Sequence, residues 1–176
     1  MKTSAVILVV IAALVLLSGG LIAFAYSGIY NIGADAHHTR PVHALIEMLV
    51  DRSVEQRAKD ITVPNLDNPQ WVLAGAGQYA SRCAECHLAP GLTDSDLHKG
   101  LYPQPPQLAK FHPDTRFAFW AIKHGIKMSA MPAWGDSLDD ATIWNIVAFL
   151  QKMPDLTPAQ YQDLVAQAKT NTTQHP

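Results

Sequence analysis

The chain has 176 residues, which is one domain with additions or a small pair of domains, and too few for a barrel enzyme or two doubly wound domains. Charged residues are 16% of it, against a usual share of about a quarter, and 13 Lys and Arg face 15 Asp and Glu, a net charge of −2. That balance excludes a strongly basic nucleic-acid binder and an acidic disordered tail protein, and two cysteines are too few for a disulfide-stapled scaffold.

Residues 3–34 carry no charge, and Ala5 to Ala25 is almost wholly apolar. A span of the hydrocarbon core needs about 20 such residues, whereas the apolar part of a cleaved signal has about 7–15. The length predicts an uncleaved anchor over residues 1–30. Ala23-Phe24-Ala25 nevertheless reads as a cleavage site, so the two fates stay open. Either one carries the rest of the chain across the membrane, with Lys2 inside.

Residues 31–66 are expected to hold a juxtamembrane helix and a linker. Pro41 can open the helix, and Val42, Leu45, Ile46, Leu49 and Val50 recur at helical spacing opposite Glu47, Asp51 and Glu55. This stripe, over 41–59, has three candidate partners: the lipid surface, the following domain or another subunit. His37, His38 and His43 lie nearby but lack acidic or Cys partners at ligand spacing, which favours ordinary surface histidines over a metal site. A linker rich in turn formers follows over 60–70.

Residues 67–153 read as the main domain. Asn68 or Asp67 caps a helix with Pro69 in its first turn, running to about Cys83. Residues 88–116 hold seven prolines and glycines, so they are expected to be mostly loop. Such a long loop in a small domain calls for something large to pack against. A helix from Asp114 or Thr115 carries Phe117, Trp120, Ala121 and His124 and stops at Gly125. Ser137 with Asp140 resembles a capping box for a helix to about Met153, with Ile143, Ile146, Val147 and Leu150 as its stripe. Residues 154–176 read as a short helix from Thr157-Pro158 to about Lys169 and a frayed tail. No strand pattern and no repeat is evident.

Cys83-Ala84-Glu85-Cys86-His87 is C-x-x-C-H, the attachment sequence of c-type haem. Two thiols on one helical turn can each add to a porphyrin vinyl group, and the next residue, His87, can supply an imidazole to the iron. A thioredoxin-like redox pair would need a strand–helix context, and a zinc site would need two more ligands; neither is present. A disulfide would close a very short loop for little gain. The cofactor expected is therefore one covalently attached haem c.

Here the chain resembles a family. Residues 67–153 look like a class I c-type cytochrome, close to the membrane-anchored monohaem type of Gram-negative bacteria and to the cytochrome domains of haem–copper oxidase subunits. The resemblance rests on Gly75 and Tyr79 before the cysteines, on IWNIVAFLQKM with Trp144 and Phe149, and on the MSAMPAWG loop between them. It implies an all-α fold in which the last helix of the domain crosses the first at the glycine. It also implies that a carbonyl of a proline-containing loop holds the proximal histidine; Pro90 and the stretch Tyr102, Pro103, Pro105, Pro106, Leu108 are the candidates. The sixth ligand has Met128 and Met131 as its main candidates. Met131, followed by Pro132, matches the family's ligand position and is favoured, which leaves Met128 as a core or haem-pocket side chain. His98, His112 and His124 are rival ligands, with surface positions as their default. Trp120, Trp134 and Trp144 are expected to pack or to donate to haem propionates.

The expectation is an electron carrier, not an enzyme by itself, in the bacterial inner membrane with its cytochrome domain in the periplasm. A haem subunit of a larger membrane oxidoreductase or terminal oxidase is the alternative. A haem sensor or peroxidase would need an open sixth site, which Met131-Pro132 argues against. Between 98 and 127, Lys99, Lys110, Arg116, Lys123 and Lys127 face Asp114 alone, a net of +4 that suits a docking face for an acidic redox partner.

Overall fold

The computed structural model describes residues 2–174, which form two units divided between His37 and His38. All regular structure among the described residues is helical.

The first unit is built on α1 (Lys2–Ser27), whose 26 residues reach about 39 Å at 1.5 Å per residue. It is apolar on every side and long enough to cross a membrane, and it runs through Ala23-Phe24-Ala25 without a break.

The second unit begins with α2 (Arg40–Ala58), with Pro41 in its first turn as expected. Its stripe divides. Val54 and Ala58 are buried on the side that packs against α6 (Thr115–His124), where Arg116 also donates to the Lys59 carbonyl at 3.3 Å. Val42, Leu45, Ile46, Met48 and Leu49, nearer its start, remain exposed.

The core is a crossing of α3 (Pro69–Arg82) and α7 (Asp140–Leu150). Asn68 starts α3 by accepting the Gln70 N–H, and Pro69 gives up no needed donor in the first turn. Gly75, Ala76 and Tyr79 then fall on one buried face. On α7, Ile143, Ile146, Val147, Phe149 and Leu150 are all at most 2% exposed. Each such side chain contributes about 1.5–3 kcal/mol by leaving water. Gly75 lets the backbones touch, because a Cβ there would lie 1.9 Å from the Asn145 carbonyl oxygen. Tyr79 and Phe149 meet ring to ring at 5.4 Å, and Phe119 of α6 stacks on Trp144 at 4.1 Å. α8 (Pro158–Gln174) covers α3 through Tyr161 and Ala168.

Three local expectations are corrected. α7 is capped by Asp139, whose carboxylate accepts the Thr142 N–H at 2.8 Å, rather than by a Ser137–Asp140 box; Ser137 closes a short 3₁₀ turn over Trp134–Asp136 instead. α7 ends at Leu150, and Met153 opens a separate 3₁₀ turn. The expected tail from residue 170 continues as helix to Gln174, while His175 and Pro176 lie outside the described residues. The loop of 88–116 also contains α5 (Asp96–Gly100) and a 3₁₀ turn at Leu108–Lys110.

Candidate haem-binding site

α3 stops at Arg82 and the chain tightens into α4 (Ala84–His87), a single turn. The Cys83 carbonyl accepts both the Cys86 N–H at 3.1 Å and the His87 N–H at 2.8 Å. Both thiols and the imidazole therefore spring from one turn, and both cysteines are free. Burial pushes the Cys83 thiol up to about 12 against the opposing pull of Arg82. Burial also raises Cys86, with Glu85 adding to it. Both sulfurs are thus held as thiols.

His87 Nδ1 lies 2.9 Å from the Pro106 carbonyl. A carbonyl only accepts, so Nδ1 carries the proton and Nε2 keeps its lone pair. Of the carbonyls that the resemblance left open, Pro106 is the one used. Burial holds the imidazole below its ordinary pKa, partly opposed by the Pro106 bond, and this favours the neutral, ligating form.

The exit from the turn is strained. Leu88 has φ 59° and ψ −178°, a region essentially restricted to glycine, at a cost on the order of 1–3 kcal/mol. Its side chain is 1% exposed, and the buried Tyr79 hydroxyl donates to its carbonyl. Desolvation raises the Tyr79 phenol, so it stays a donor. Two more carbonyls of the turn are held from α5. Ser95 Oγ donates to the Glu85 carbonyl at 2.5 Å, and His98 Nδ1 meets the Cys86 carbonyl at 2.7 Å.

The methionine loop folds back on the end of α6. The Ile126 N–H donates to the Met131 carbonyl at 3.2 Å, and Ser129 Oγ accepts the Met131 N–H at 3.2 Å. Gly125, at φ 66°, permits the approach: a Cβ there would lie 2.7 Å from the Met131 oxygen. Met131 is half-buried against the core, along with Cys83, Leu108, Trp134 and Leu138. Met128 is fully exposed at φ 58°, which overturns its expected place in the core or pocket.

The other candidates separate. His98 is 2% exposed, against its expected surface position, while His112 pairs with Asp155 at 3.3 Å and His124 lies against Trp120. Trp144 packs on Phe119, and Trp134 lies under the Arg82 guanidinium. His43 pairs with Glu47, and the His38 N–H donates to the Tyr102 hydroxyl. Among the described residues no group of three or more His, Cys, Asp or Glu suits a metal ion. The basic stretch is partly neutralised, because Lys99 pairs with Asp94 at 3.2 Å and Lys123 with Asp140 at 2.7 Å.

Sequence reasoning missed Ser95, and it weighed His98 only as a rival ligand or a surface residue. The spacing of a serine three residues before His98 was a legible helix start, but nothing in it pointed to the Glu85 and Cys86 carbonyls.

The donor set fits haem c: two thiols on one turn, an imidazole oriented by a backbone carbonyl, and a thioether bordering the same apolar cluster as Cys83. The chain carries a c-type cytochrome domain, and its described residues are all-helical, with one apolar helix ahead of that domain in sequence. Residues 71–150 match the family described as Cytochrome C oxidase, cbb3-type, subunit III. No curated protein and no solved structure matches the chain. A cytochrome c domain means haem-based electron transfer, with redox partners or a place in a complex.

Proposed function

We propose that the protein is a one-electron carrier with one covalent haem c, working between membrane or periplasmic redox partners. The observation that carries this reading is the α4 turn, with Cys83, Cys86 and a His87 ring oriented by Pro106. Cys83 and Cys86 hold the haem through thioether bonds, and His87 Nε2 and Met131 Sδ ligate the iron. When bound, the haem supplies an Fe(III)/Fe(II) couple, and a closed His/Met iron suits electron transfer rather than substrate binding. No catalytic acid, base or nucleophile is required.

Met131 is chosen over Met128 because it is half-buried beside the core and held by Ile126 and Ser129, whereas Met128 points wholly into solvent. Met131→Ala should abolish the weak far-red methionine–iron charge-transfer band of the oxidised protein, and Met128→Ala should leave it intact. The reverse pattern would move the ligand to Met128.

α1 anchors the chain in the inner membrane, with the cytochrome domain in the periplasm, where this type of haem is attached. The protein should resist high-salt and carbonate washes, and its intact mass should include Lys2. Recovery in the soluble fraction with an N-terminus at Tyr26 would show instead that the chain is cut after Ala25.

A second reading is favoured by the family match: the chain is a haem subunit of a larger membrane oxidoreductase or terminal oxidase. In that case the exposed stripe of Val42, Leu45, Ile46, Met48 and Leu49 is a subunit contact. Extraction in mild detergent separates the two readings, through recovery alone or with stoichiometric partner chains. A docking face for an acidic redox partner rests mainly on Lys110, Arg116 and Lys127, since Lys99 and Lys123 already have carboxylate partners.

A further inference from the structure

α4 is only four residues long, so its later carbonyls have no helical donor four residues on. Leu88 then turns the chain away in a conformation that a leucine rarely adopts. Something outside the turn must hold it. Tyr79 takes the Leu88 carbonyl from one side. From the other side, Ser95 and His98 form a two-point latch. The Ser95 hydroxyl donates to the Glu85 carbonyl at 2.5 Å and accepts the His98 N–H at 2.9 Å. His98 Nδ1, necessarily the protonated nitrogen, donates to the Cys86 carbonyl at 2.7 Å.

The identity of residue 98 is informative. His98 is buried, and its Nε2 has no hydrogen-bond partner. An orphaned buried polar atom is costly, and a leucine of similar volume would fill the space without it. What a leucine lacks is the Nδ1 donor. The Cys86 carbonyl belongs to the peptide unit that joins Cys86 to His87. Rotation of that unit swings the His87 ring, whose other end is held by Pro106.

We propose that His98, seated by Ser95, is a positioning residue of the haem site: it pins the Cys86–His87 peptide and so sets the orientation of the His87 imidazole. The inference rests on the reading of His87 as an iron ligand. His87 is then held at its ring by Pro106 and at its backbone by His98, and neither restraint touches the iron.

The test uses the full-length, haem-loaded protein in detergent, with covalent haem per polypeptide and the low-spin EPR signal of the oxidised iron as readouts. His98→Leu keeps the volume and removes the donor, and its EPR g-values should shift. His98→Asn places an amide N–H near the position of Nδ1 and should return the signal toward wild type. Ser95→Ala should shift it in the same sense by less, and it decides the matter if His98→Leu does not accumulate. Wild-type g-values in Ser95→Ala, or in His98→Leu at normal haem content, would leave His98 as packing only. A wild-type protein without an imidazole-ligated haem would refute the site itself rather than the latch.

Discussion

Haem should remain on the polypeptide through denaturation and acid-acetone extraction, at one per chain. The expectation follows from α4, where Cys83 and Cys86 lie three residues apart on one turn and both sulfurs are held as thiols. Two thioether bonds do not depend on the fold, whereas a haem held only by His87 and Met131 would leave once the helices part. Cys83→Ala with Cys86→Ala should therefore abolish haem staining of the denatured band. Either single variant keeps one bond and should retain some stain. Complete release of haem from the wild-type chain would overturn covalent attachment while leaving the helical fold unchallenged.

The largest effect on stability is expected at Gly75. A Cβ there would sit 1.9 Å from the Asn145 oxygen, 2.6 Å from the Asn145 carbonyl carbon and 2.8 Å from Phe149 Cβ. The first two are backbone atoms of α7, which cannot rotate away as a side chain can. α3 and α7 must move apart, loosening Ala76, Tyr79, Ile146 and Phe149 together. Overpacking costs about 1–3 kcal/mol where neighbours can yield; a backbone clash that opens the central crossing should reach about 3 kcal/mol or more. Gly75→Ala should lower the denaturant midpoint of the haem-loaded protein sharply. Gly77→Ala, facing only Ala168 Cβ at 3.0 Å, should lower it less. Gly100→Ala, with nothing within 4 Å, should change it little. A Gly75→Ala midpoint equal to that of Gly100→Ala would show that the crossing is not close-packed at this point.

The helices were legible in the sequence because their causes are local. Asn68 and Asp114 cap the N–H groups two or three residues ahead of them, and the stripe of Ile143, Ile146, Val147 and Leu150 follows from 3.6 residues per turn. Cys83-x-x-Cys86-His87 was legible for the same reason, since a single turn brings the three side chains together. Choosing between adjacent caps was harder. Ser137 and Asp139 both have the chemistry, and the 3₁₀ turn at Trp134–Asp136 engages Ser137 first.

Tertiary structure decided whatever depends on the path of the chain between helices. His87 needs a carbonyl, but only the course of the loop places the one from Pro106, 19 residues on, beside its ring. Met128 and Met131 are equivalent by composition; the left-handed backbone at Met128 sends it into solvent, while Gly125 and Ile126 draw Met131 back toward the core. Lys123 reads as part of a basic stretch until the packing of α6 on α7 brings Asp140 to 2.7 Å. His98 looks like any surface histidine until α5 docks on the attachment turn and buries it. In each case the deciding partner lies 5 to 19 residues away along an irregular path, where no helical period sets the spacing and only the packed chain determines which atoms meet.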